Sequence, residues 1–159
     1  MATYTDSLGF NKGTAAYPAN DLNKSVRVEM VLDFPKIIAA RSAASATALA
    51  ASDVLEVIPV PAGTIVSNVG MEVTTAAGVT STISIGDGGA AAGYLAATTA
   101  NSTGFSGGVP VLSSGAFAPT LSGGKLYSAA DTIDITIGTA VPAAAVVRLF
   151  ATFTDVNAN

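Results

Sequence analysis

The acids of this chain come in spaced pairs. Asp53 and Glu56 stand three residues apart, as do Asp131 and Asp134, and each pair sits at the start of a β-branched run. Two facing carboxylates are the minimum for glycoside hydrolysis, one as acid and one as base or nucleophile. Little other chemistry is open. Histidine and cysteine are both absent, which removes the commonest general base, the thiolate nucleophile and the usual zinc and copper ligands. Ser–His–Asp and Cys–His systems are therefore impossible. Gly86-Asp87-Gly88-Gly89 suggests a calcium loop or a phosphate cradle, but Asp87 is its one charged ligand and no P-loop lysine follows. A strand-end turn, with glycine supplying positive φ, is the simpler reading. Acids at strand starts are ordinarily solvated turn residues. The sequence thus predicts no enzyme, no metal site and no cofactor.

The elements that would position these residues are strands. Val26, Val28, Met30, Leu32 and Phe34 alternate with Arg27, Glu29, Val31 and Asp33, a period of two that buries one face. Pro35 marks the end of that run or a bulge. Residues 36–52 are Ala-rich but diluted by Ser and Thr, and a short helix or an extended segment both fit. Val54–Ile58 is a strand, Pro59–Gly63 a turn, and Ile65, Ser67, Val69, Met71 and Val73 share one face of the next strand. Ala76-Ala77-Gly78 turns the chain, and Ile83 and Ile85 point inward. Residues 90–124 hold seven glycines and read as loop with a short strand at Val109–Leu112, a length of irregular chain that is usually contact-forming. Ile133, Ile135 and Ile137 share a face. Val147, Leu149, Ala151 and Phe153 alternate with Arg148, Phe150, Thr152 and Thr154. Both faces of that last run carry apolar residues, as expected of a central strand or one covered by a partner. The whole predicts an all-β fold, a β-sandwich with Greek-key or jelly-roll connections over 25–159. An extended N-terminal arm, 1–24, precedes it.

Charge narrows the partners. Residues 42–124 contain no lysine or arginine and carry four acids, whereas residues 1–41 carry five basic and four acidic side chains. A net charge of −4 and interleaved signs around Arg27 and Lys36 argue against nucleic acid. No run reaches the ~18–20 apolar residues of a membrane span, and the start, Met1–Asp6, lacks the pattern of a secretory signal. Only 11% of residues are charged, which suits a surface partly hidden in an assembly. Tyr4, Phe10 and Tyr17 are the large anchors of the arm, with Lys12, Lys24 and Arg27 as nearby cations. These six are the candidate contact residues. Tyr94 and Phe105 are two rings of the long loop that could serve a glycan site there.

From Asp53 onward the arrangement resembles a known style of protein. Asp53-Val54-Leu55-Glu56-Val57-Ile58-Pro59-Val60-Pro61-Ala62-Gly63-Thr64 leads to Val69-Gly70-Met71-Glu72-Val73. Thr82-Ile83-Ser84-Ile85-Gly86-Asp87-Gly88 and Gly93-Tyr94-Leu95 follow. Tyr127-Ser128-Ala129-Ala130-Asp131-Thr132-Ile133-Asp134 and Val147-Arg148-Leu149-Phe150 close the chain. These segments look like capsid decoration, or cement, proteins of tailed bacteriophages, over about residues 53–155. The resemblance implies a jelly-roll virion protein, a homotrimer on the outer capsid surface that bridges neighbouring subunits of the major capsid protein. It carries over no individual site residue. The alternative is a glycan- or receptor-binding sandwich from a phage fibre or head appendage.

Overall fold

The computed structural model describes residues 1–4, 25–107 and 124–155. The candidates Phe10, Lys12, Tyr17 and Lys24, and the strand expected at Val109–Leu112, lie outside these residues. The described chain forms β1 (Thr3–Tyr4), β2 (Ser25–Asp33), α1 (Phe34–Ala43), β3 (Val54–Val60), β4 (Thr64–Thr75) and β5 (Thr82–Asp87). It continues with β6 (Ala90–Thr99), β7 (Gly104–Gly107), β8 (Lys125–Tyr127), β9 (Asp131–Ile137) and β10 (Val146–Asp155).

The strands form two sheets. Sheet I has the order β1-β3-β9-β5-β6. Sheet II has the order β2-β10-β4-β7, with β8 also on β4. Every pairing is antiparallel except the two-residue contact of β1 with β3. The pairs β5–β6, β4–β7, β3–β9 and β2–β10 nest one inside the next and alternate between sheets. That is one long hairpin rolled across both layers, the jelly-roll connection.

The core lies between the layers. Ile83, Ile85, Ile133, Ile135 and Ile137 come from sheet I, and Leu32, Met71, Val147, Leu149 and Phe153 from sheet II. All ten are nearly or fully excluded from solvent. Fully burying each such side chain contributes roughly 1.5–3 kcal/mol.

Helix α1 settles the open reading of 36–52. Asp33 caps it by accepting the Lys36 N–H at 3.1 Å, Pro35 lies in the first turn, and Phe34 and Ile37 are buried. The cap and the preset proline φ start the helix, and Ser45 at φ 52 follows its end.

Two other expectations need correction. Ile65 and Ser67 do not share a face with Val69, Met71 and Val73. Thr152 pairs with Asn68 while Phe153 pairs with Val66, so Ser67 is an extra residue. This bulge swaps the faces, and Val66 takes the inward position instead. Residues 90–107 are also less irregular than expected, since β6 runs for ten residues. Its alanines are too uniform to display a period of two, and register with β5 reveals it.

Candidate contact face and its surroundings

The outer face of sheet II is a grid set by register. One row runs Val31, Arg148, Glu72, Phe105 across β2, β10, β4 and β7. The next runs Glu29, Phe150, Gly70, and a third Arg27, Thr152, Asn68. Gly70 places no side chain beside Phe150, so a ring from the neighbouring row can lean across. Phe105 does so, stacking on Phe150 with centroids 5.2 Å apart and planes 14° from parallel. The Arg27 guanidinium lies 4.5 Å from the Phe150 centroid. Phe150 is therefore buried although it faces outward, whereas Phe105 keeps 58% exposure.

Charges ring the aromatic pair. Arg148 binds Glu72 directly across the strands, and its other amino group lies 3.8 Å from Glu29. Arg27 Nε lies 2.7 Å from Glu29. Cross-strand neighbours on one face are the unit by which a sheet orders its surface. Here they build an exposed ring on a rigid floor of paired charge.

Of the six candidate residues, this face contains Arg27. Tyr4 lies on the other sheet, where its backbone pairs with Leu55 on β3. The N-terminal strand is fixed by Asp53, whose carboxylate accepts the Ala2 and Ala50 N–H groups at 2.9 and 2.8 Å. Asp53 is thus a buried clamp and not a solvated turn acid. Tyr94 and Phe105 do not meet: Tyr94 is buried in the core and donates to or accepts from the Tyr127 hydroxyl at 2.6 Å. A glycan site built on both rings has no basis in this geometry.

The Gly86–Gly89 segment is a turn, but for a different reason than positive φ. A Cβ on Gly86 would lie 1.9 Å from the Ala90 carbonyl oxygen, so close backbone approach demands glycine there. Asp87 holds the turn by accepting the Gly89 and Ala90 N–H groups, each at 3.0 Å. Its other oxygen receives Lys125 and, at 2.6 Å, the Tyr127 hydroxyl. Burial opposes ionisation of Asp87, yet these donors hold its carboxyl below the usual range. Burial pushes the Tyr127 and Tyr94 hydroxyls upward. Sequence spacing could not reveal this network, because its members are about 30–40 residues apart and on different strands.

The paired acids do approach each other on the outer face of sheet I. Glu56 lies directly opposite Asp134 across β3 and β9, with Asp131 and Asp87 nearby in a cleft of about 220 Å³. Burial lifts the Asp134 carboxyl to about 7; the Thr132 hydroxyl, donating at 2.6 Å, opposes this, and Glu56, Asp131 and Asp87 add to it. A protonated acid beside a second carboxylate has the elements of a glycosidase pair. The cleft is smaller than the ~300–1,000 Å³ of ordinary ligand sites, and its lining of small residues, threonines, acids, Met1 and Val54 offers no aromatic platform. Among the described residues no group of three His, Cys, Asp or Glu is placed to hold a metal.

No family model matches the sequence, and no curated protein matches it. The fold does have counterparts among solved structures. A chain of the cyanophage Pam1 capsid asymmetric unit is similar over 90% of this chain and 94% of its own, at 18% identity and TM-score 0.51. A chain of the capsid of Ralstonia phage GP4 is similar over 96% of both, at 14% identity and TM-score 0.54. The jelly-roll sandwich is thus shared almost end to end.

Proposed function

We propose that this chain is a structural virion protein of a tailed bacteriophage, a cement protein on the outer capsid surface. Its partner is the major capsid protein, whose neighbouring subunits it bridges as a homotrimer. The observation that carries this reading is the near full-length likeness to chains of similar length in two phage capsids. The surface agrees with it. Arg27, Lys36, Lys125 and Arg148 are each paired with an acid, and Arg41 is buried, which leaves little for nucleic acid among the described residues. Phe105 on its paired-charge floor supplies an aromatic anchor of the kind that dominates binding energy at interfaces.

The arm, residues 1–24, and the Phe105 face are the two contact regions of the proposal. Three weak contacts on one trimer gain strength from effective concentration. Co-sedimentation with undecorated shells tests this. Deleting residues 1–20 leaves the sandwich folded and removes the protein from the pellet, and Phe105→Ala reduces pelleting. Full occupancy by both variants sinks the reading.

A further inference from the structure

We propose that β2 is a self-pairing edge, at which two copies of this chain join their sheets II antiparallel across a two-fold axis. Among the described residues β2 pairs with β10 alone, through nine consecutive partners without a register shift. Long edges are normally guarded by proline, lysine or bulges. β3 carries Pro59 and a shift, and β6 carries two shifts against β5. Ser25–Asp33 contains no proline, glycine or lysine and no shift. It is an uninterrupted nine-residue edge, with Val26 and Val28 only half-buried at the margin of the sandwich.

The sequence of this edge selects its partner. A two-fold axis normal to the sheet keeps inward residues inward, so each register is centred on one residue. Centring on Glu29 or Arg27 sets like charges face to face. Centring on Met30 sets Arg27 against Asp33, whose carboxylate already caps α1 and binds Lys36. Centring on Val28 sets Arg27 against Glu29 twice, Val28 against Val28, and Val26 against Met30 twice. Both faces then match, and Val26 and Val28 become covered. The existing Arg27–Glu29 contact within one strand is exchanged for two across the junction. This joint does not depend on capsid binding.

The chain has no cysteine, so a Val28→Cys variant reports the register directly. Opposed Cα atoms in an antiparallel pair are about 4.5–5.5 Å apart, inside the roughly 4.4–6.8 Å span of a disulfide. Mild oxidation of the purified full chain is expected to give a covalent dimer on a non-reducing gel. Adding Arg27→Glu, or Glu29→Arg, to Val28→Cys sets like charges across the axis and is expected to lower the dimer yield about tenfold. Mixing these two double variants restores opposite charges on both sides and is expected to restore the yield. Each variant's circular dichroism confirms that it is folded. Absence of cross-linked dimer from folded Val28→Cys, or a yield indifferent to charge reversal and mixing, overturns the proposal. Failure of shell co-sedimentation with cross-linking intact overturns the cement reading alone.

Discussion

The two outer faces solve the problem of charge on a sheet in opposite ways. Sheet II sets Arg148 against Glu72 and Arg27 beside Glu29, so its charges cancel around the Phe105–Phe150 stack. Sheet I sets Glu56 against Asp134 in register, so two acids face each other, and burial together with the neighbouring carboxylates lifts the Asp134 carboxyl. The neutralised face can meet a partner without desolvating net charge. The acidic face gains nothing from burial against an ordinary acidic or neutral surface. For the proposed capsid contact, the neutralised face of sheet II is therefore the better suited side.

Asp87 gives the largest test, because at the sheet I cleft it is bound by Lys125 and by the Tyr127 hydroxyl. Removing one member of a buried ion pair strands the other, at a cost of about 3–5 kcal/mol. Asp87→Ala removes the carboxylate that Lys125 binds, takes the acceptor from the Tyr127 hydroxyl, which keeps its bond to Tyr94, and unties the β5–β6 turn. Urea unfolding is expected to show a loss of that size. A loss under about 1 kcal/mol would make the pair a surface contact and erase the contrast with Asp134.

Asp134 comes next. Its proton is held more tightly in the folded state, at about 7 against an ordinary 3.8. Between those values the folded state binds more protons than the unfolded one, so stability falls as pH rises through that window and stays low above it. The full change is on the order of 4 kcal/mol. Asp87 acts with the other sign: its lowered pKa gives stability above the ordinary carboxylate range, lost as pH falls below it. Asp134→Asn is expected to flatten the melting temperature between pH 4 and 7 and to raise it at pH 8. A wild-type curve already flat across that range breaks the comparison.

Much of the sandwich was legible in its residues. The isoleucines of β9 and the alternation of β2 and β10 follow from period two, and the apolar outer position Phe150 fitted a central strand or one covered by a partner, of which β10 is the first. The Ser67 bulge was hidden, because its cause is pairing with β10 and not local pattern. β6 was hidden because alanine satisfies strand and loop readings alike. At the site, Arg27 was legible as a cation on the first strand, but its stack on Phe150 was not. That contact needs β10 between β2 and β4, and Gly70 opposite Phe150. The acid pairs were visible, yet the three-residue spacing said nothing of Glu56 facing Asp134, which are brought together by β3–β9 register.

On sheet II the effects on folding are smaller. Phe105→Ala removes an exposed ring and its stack, at about 0.5–1.5 kcal/mol. The same change at Phe150 opens a buried space and costs about 3–5 kcal/mol. Chemical unfolding of both variants separates a ring kept for contact from one kept as its floor. Equal losses would mean that Phe105 is structural.

Arg27→Lys is the finest test of the contact face. Lysine keeps the charge and can still reach Glu29, but it loses the planar group that lies over Phe150. An exposed cation–π contact is worth about 0.5–1 kcal/mol, and exposed ion pairs no more. Unfolding should therefore shift by less than about 1 kcal/mol. Shell binding should fall further than that, because no guanidinium then braces the floor on which Phe105 stands, and in the proposed trimer each loss would be multiplied. Salt separates the two contributions. Screening weakens the Glu29 pair but leaves the stack, so the gap between wild type and Arg27→Lys should persist at high salt. A gap that closes with salt assigns Arg27 to charge pairing alone and moves the anchor of the face to Phe105 by itself.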